Sequence, residues 1–262
     1  MLFRKTSPMV ACLCVLALHA SAAQTRPPAP PFTQSLAITG GFTINDHLDA
    51  SSSPIPFSGT GLDSRFRYQR SFGRWNAIVE GEGARRTYSS RADAGTSVHE
   101  RAYDGSFTTS LLRGFSSSSA FSAGLALDVR GGVLTHHYAD PGATTTSYVN
   151  GYATLGPAVR WQHSALGGNT FLGLSVPLVG IAHHPYTDVR IDQASPSFNA
   201  VTLANLRGYN FTAGFETSAR RRLGLIGEFH ANALDYADIQ RARTVTTGFN
   251  LGVVLRFGRT PR

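Results

Sequence analysis

Cysteine is almost missing from this chain: there are two, Cys12 and Cys14. Both lie in an N-terminal stretch laid out like a secretory signal peptide. A short basic start with Arg4 and Lys5 leads into the apolar core "MVACLCVLAL", and the small residues "HASAAQ" follow. Residues 1–23 are therefore expected to be removed. Their loss excludes disulfides, cysteine-bound metals and thiolate nucleophiles from the mature chain. Lysine goes too, since Lys5 is the only one, and 22 arginines then face 16 acids, a formal +6. Past the leader no apolar run is long enough for a transmembrane helix. G-x-S-x-G, H-E-x-x-H and phosphate-loop patterns are also lacking, which removes the commonest hydrolase and nucleotide signatures. A basic chain raises nucleic acid as a partner. Secretion and the scatter of arginines along the chain argue against it.

What is present is a period of two. In "AFSAGLALDVR", Phe121, Ala123, Leu125, Leu127 and Val129 share one face, opposite Ser122, Gly124, Ala126, Asp128 and Arg130. In "TTGFNLGVVLRF", Phe249, Leu251, Val253, Leu255 and Phe257 alternate with Gly248, Asn250, Gly252 and Arg256. The pattern predicts about ten strands: 33–44, 57–70, 74–88, 98–112, 119–135, 147–162, 169–182, 203–217, 222–234 and 243–257. They reach or exceed the roughly 9–11 residues that cross a bilayer at a tilt. Short connections such as "RSFGR" alternate with longer polar ones such as "SSRADAGTS". Trp75, Phe115, Phe121, Trp161, Phe171 and Phe257 fall near the short connections. Tyr88, Tyr103, Tyr138, Tyr148, Tyr186, Tyr209 and Tyr236 fall near the long ones, as two interfacial belts would.

On these features the chain resembles the bacterial outer-membrane β-barrel proteins from Thr33 to Phe257. The last strand, closing on Phe257, resembles the terminal aromatic strand that the barrel-assembly machinery reads in such proteins. "GRTPR" (258–262) follows it here as a short extension. The expected organisation is a leader (1–23), a proline-rich periplasmic lead (24–32), and an all-β, antiparallel up-and-down barrel of about ten strands, with 8–12 allowed (33–257). The resemblance implies residence in the outer membrane, membrane lipids as partners and a monomer. A lipocalin-like or sandwich fold carries the same alternation turned inside out. Strand length, leader and the aromatic belts favour the membrane.

With the apolar faces in lipid, charged residues must line the lumen. That set is Arg65, Arg67, Glu80, Glu82, Asp104, Asp128, Arg130, Arg160, Glu216, Glu228, His230 and Arg256. About ten strands enclose a narrow interior. It is either filled by paired charges or left as a narrow path for small solutes.

The longer connections carry the remaining chemistry. "THHYADPGATTTS" and "AHHPYTD" bring His136, His137, Asp140, His183, His184 and Asp188 to the outward rim, near Asp46, His47, His99 and Glu100. Imidazole and carboxylate suit zinc, copper or nickel, and a histidine beside an acid can activate water. Adjacent residues on a strand point to opposite faces, however, and no spacing here matches a ligand motif. The reading is thus a non-enzymatic narrow channel or structural and surface-interaction barrel, with no catalytic residue, cofactor or metal assigned. The alternatives are a rim enzyme, omptin-like or lipid A-modifying, and an adhesin or receptor acting through its loops.

Overall fold

The computed structural model describes residues 32–49, 53–91, 97–115, 120–138, 146–165, 168–186, 195–217, 221–237 and 241–259. Residues 1–31 and the last three residues lie outside them, so of the expected lead only Phe32 is described, as the first residue of β1, and of the extension only Gly258 and Arg259, within β12. The described residues contain no helix and twelve strands: β1 (Phe32–Asp49), β2 (Ser53–Phe72), β3 (Trp75–Arg91), β4 (Ser97–Gly114), β5 (Phe121–Tyr138), β6 (Thr146–Ala165), β7 (Gly168–Ser175), β8 (Val179–Tyr186), β9 (Ser195–Thr202), β10 (Leu206–Glu216), β11 (Leu223–Ala237) and β12 (Arg241–Arg259).

Every pairing is antiparallel, and β1 closes on β12 from Phe32↔Arg259 to Asp49↔Ala242. Closure leaves no open edge along the membrane-spanning wall, so each backbone polar group there has a partner without water. Ten staves form the wall, because β7 and β8 are successive parts of one. They pair with β6 at Ala158↔Ser175 and Leu155↔Val179, and between these points two residues of β6 face three of the other chain. The extra residue sits around Pro177, which has no N–H to give, while Val176 and Leu178 still donate to Pro157 and Leu155 at 3.1 and 3.0 Å. β9 and β10 are likewise one stave, broken at a turn where Asn205 donates to the Thr202 carbonyl at 3.1 Å. Above this break β8 and β9 pair with each other as a hairpin, while β10 stays with β11. The expected ten strands are present, two of them interrupted.

Seven strands run 17 to 20 residues, longer than the periodicity suggested. At about 3.3 Å per residue and about 40° of tilt, 18 residues climb about 45 Å, whereas the lipid band of a barrel is about 25 Å tall. The extra length is at the outer ends, so the wall continues well beyond the membrane. At the other end the turns are tight. Gly73, between Phe72 and Trp75, holds φ at 62°, the left-handed geometry that a two-residue hairpin uses. Gly258 also holds a left-handed φ, 69°, within the last residues of β12, where Arg259 still pairs with Phe32.

The apolar faces point outward. Leu62, Leu225 and Leu251 are 72%, 64% and 62% exposed, with Phe42, Phe107, Leu127 and Val253 in the same band. One part of the aromatic expectation is corrected. Trp75, Phe115, Phe121 and Phe257 are exposed near the short turns, and Tyr103 near the outer end, but Phe171, Tyr88 and Tyr236 are buried in the lumen. Their strand parity, shared with inward residues, overrides their position along the strand.

Candidate functional site

The lumen is the part of this molecule with chemistry in it. All twelve expected lumen residues stand on the sheltered parity of their strands, and most are buried. Most of them are bound into a network. Arg67 on β2 donates to Glu216 on β10 and, at 2.9 Å, to Glu228 on β11. Arg256 holds the other oxygen of Glu216 at 2.9 Å. Arg65 lies 3.5 Å from Glu228 and 3.6 Å from Glu82, and Arg86 donates to Glu82 at 3.1 Å and to Asp104. On the facing wall Arg130 donates to Asp128 at 3.0 Å and to Asn210.

These bonds cross the barrel. Between β2 and β10 stand β1, β12 and β11, so the Arg67–Glu216 bond spans four strand steps of a ten-stave ring. Apolar side chains seal the same levels. Ala37, Phe171, Ile226 and Val254 cluster near the periplasmic mouth, and Ile78, Leu112, Ala126 and Ala158 on the opposite wall. Phe171 joins the two chemistries, with the Arg67 and Arg160 guanidinium carbons 4.3 and 4.6 Å from its ring centroid. Cations on an aromatic face are attracted to its quadrupole, more so where water is excluded.

Above the network the lumen opens into a cavity of about 120 Å³. Its polar lining includes Arg86, Asp104, Arg130 and His183, and Leu134, Ala182 and Leu206 supply apolar wall. His47 stands there with Nδ1 3.1 Å from the Thr244 hydroxyl and Nε2 4.0 Å from Glu100, its ring 5.8 Å from that of Tyr88.

The rim residues are divided by alternation. His47 and Glu100 point inward and are buried, whereas their neighbours Asp46 and His99 are exposed on the outer face. The backbone places His136 opposite Thr146 and Gly131 opposite Gly151, and Gly151 also pairs with His183. His183 is thus level with Gly131, two strands across and five residues below His136, a separation of about 19 Å from strand geometry. His137 and His184 are offset in the same way. Two imidazoles that share an ion each bind it at about 2 Å, so the echoed pairs are not brought together. Asp140 and Asp188 lie outside the described residues.

Several lumen residues escaped the sequence reading: Asp63, Arg86, Asn210 and Tyr152. Parity held the signal, since Asp63 is two residues from Arg65 and Arg86 four from Glu82, on the same faces.

No known protein family matches the sequence, and no curated protein does. Solved structures do match in shape. The outer membrane protease OmpT of Escherichia coli is similar at a TM-score of 0.56 and 6% identity, over 87% of this chain and 97% of that one. Ail, the attachment invasion locus protein of Yersinia pestis, follows at 0.37 and 10% identity, over 86% and 99%. The beta domain of the Bordetella autotransporter BrkA gives 0.41 and 9%, over 85% and 99%. At these identities the likeness concerns the fold alone. With its closed antiparallel wall, outward apolar band and charged interior, the chain is an outer-membrane β-barrel in fold and in the distribution of its surfaces.

Proposed function

We propose that this is a non-enzymatic outer-membrane barrel with a sealed lumen, serving a structural or surface-interaction role and offering a small outward cavity to ligands. The observation that carries the reading is the cross-lumen bridge from Arg67 to Glu216 and Glu228, continued by Arg65 to Glu82. A water-filled path needs room for hydrated solutes between the groups at its constriction. Here the constriction is held by the charge-assisted bonds of Arg67 to Glu216 and Glu228, with the Arg67 guanidinium packed against Phe171. The narrow-channel reading is less well supported for this reason. A rim hydrolase built on the paired histidines gains no support from their register. The partners on this reading are the lipids around the apolar band and, during insertion, the barrel-assembly machinery.

Liposomes carrying the protein should swell in pentose or disaccharide solutions no faster than empty ones. Swelling that falls with increasing sugar size would restore the channel reading.

A further inference from the structure

One group of buried polar atoms is left over by the network. His230 on β11 has no exposed surface, and neither ring nitrogen has a hydrogen-bond partner. Its Nε2 lies 3.7 Å from Asp63 Oδ2, and the Asp63 side chain is also fully buried. Asp63 Oδ2 accepts from Asn250 Nδ2 at 3.0 Å, while Oδ1 has no hydrogen-bond partner. Glu82 completes the group, one donor atom from each residue lying within 4.8 Å of the others.

Backbone design lets these residues meet. His230 and Asp63 are on strands separated by β12 and β1. Gly248 is the register partner of His230 on β12, and a Cβ there would stand 2.4 Å from His230 Cε1 and 2.6 Å from Nε2. The missing side chain is what lets the imidazole lie across β12 towards β2. A buried imidazole with both nitrogens bare and a carboxylate oxygen with none to accept from are costly unless something binds between them.

The geometry points to a divalent transition-metal site formed by His230, Asp63 and Glu82. One nitrogen and two carboxylate oxygens suit zinc or a neighbouring d-block ion better than calcium or magnesium, which prefer all-oxygen shells. Bonds of about 2.0–2.1 Å in a tetrahedron put donors about 3.3–3.4 Å apart, so the 3.7 Å between His230 and Asp63 needs only a small contraction. The Asn250 amide orients the Asp63 carboxylate from outside the ligand set, as such sites require. Glu82 borders both the outward cavity and a smaller one below it, and is the member of the group that faces open space. Arg65 and Arg86 also contact Glu82 and moderate the affinity. This site does not depend on whether the lumen conducts.

The test uses untagged protein purified from membranes in detergent, stripped with a chelator and titrated with Co²⁺. One ion per chain with the intense visible absorption of a tetrahedral site is expected, displaced by Zn²⁺, and Zn²⁺ should raise the unfolding midpoint. His230→Gln and Asp63→Asn should each weaken binding at least tenfold, whereas a His136→Ala/His137→Ala variant should bind as the parent does. Should His230→Gln not fold, the isosteric Asp63→Asn decides. Absence of saturable binding by the parent, or binding that survives Asp63→Asn and is lost with the rim histidines, overturns the assignment.

Discussion

Arg67→Ala should destabilise the barrel by about 3–5 kcal/mol, the usual cost of removing one member of a buried ion pair. The side chain is 4% exposed and bonded to two carboxylates that are themselves buried. Alanine leaves Glu216 with Arg256 alone and Glu228 with the more distant Arg65. It also uncovers one guanidinium contact of Phe171. The penalty is one of uncompensated burial rather than of lost attraction. Changing Glu228 to glutamine alongside Arg67→Met, with Glu216 left to Arg256, should therefore recover part of it. Urea unfolding in detergent or bilayers measures both. A loss below about 1 kcal/mol for Arg67→Ala would mean that water already solvates these groups, as at an exposed ion pair.

Leu251→Arg should cost about 2–4 kcal/mol in a bilayer, the range for arginine at the lipid-facing midplane of a barrel. Leu251 is 62% exposed and stands between Gly40 on β1 and Gly227 on β11, six residues from Phe257. No inward neighbour can take its charge, because its parity is opposite to that of Asn250 and Arg256. Folding titrations into phospholipid vesicles give the figure. A cost near zero would place this face in water and return the soluble alternative, in which the apolar alternation is the inside of the fold.

The architecture was legible because two local signals agreed. Period-two alternation located the staves, and the alternating connection lengths set their orientation. The strand limits were less legible. Above the membrane the outward face turns polar, as in Thr87 and Ser89 of β3, so the amphipathic contrast fades while the backbone ladder continues. The interruption at Pro177 was not legible, since period-two alternation reads 169–182 as one strand and a single proline inside it does not say that the ladder resumes beyond.

The candidate site was half legible. Lumen residues follow from parity plus the cost of charge in lipid, and that argument needs no partner information. Which charges meet does not follow, because the bonds join strands distant in the chain, such as Arg67 with Glu216 and Glu228. His230 could be placed in the lumen, but its encounter with Asp63 depends on Gly248, whose importance is a missing side chain. The histidine echo at 136–137 and 183–184 was the most visible motif and the least informative. It repeats letters on strands whose registers hold the pairs apart.

Single-channel recording in planar bilayers tests the sealed lumen most directly, on the parent protein and on an Arg67→Ser/Glu216→Ser/Arg256→Ser variant. The account predicts a silent parent and discrete conductance steps in the variant, since the three substitutions remove the Arg67–Glu216–Arg256 part of the cross-lumen bridge. Ohmic steps of the same size from both proteins would contradict it.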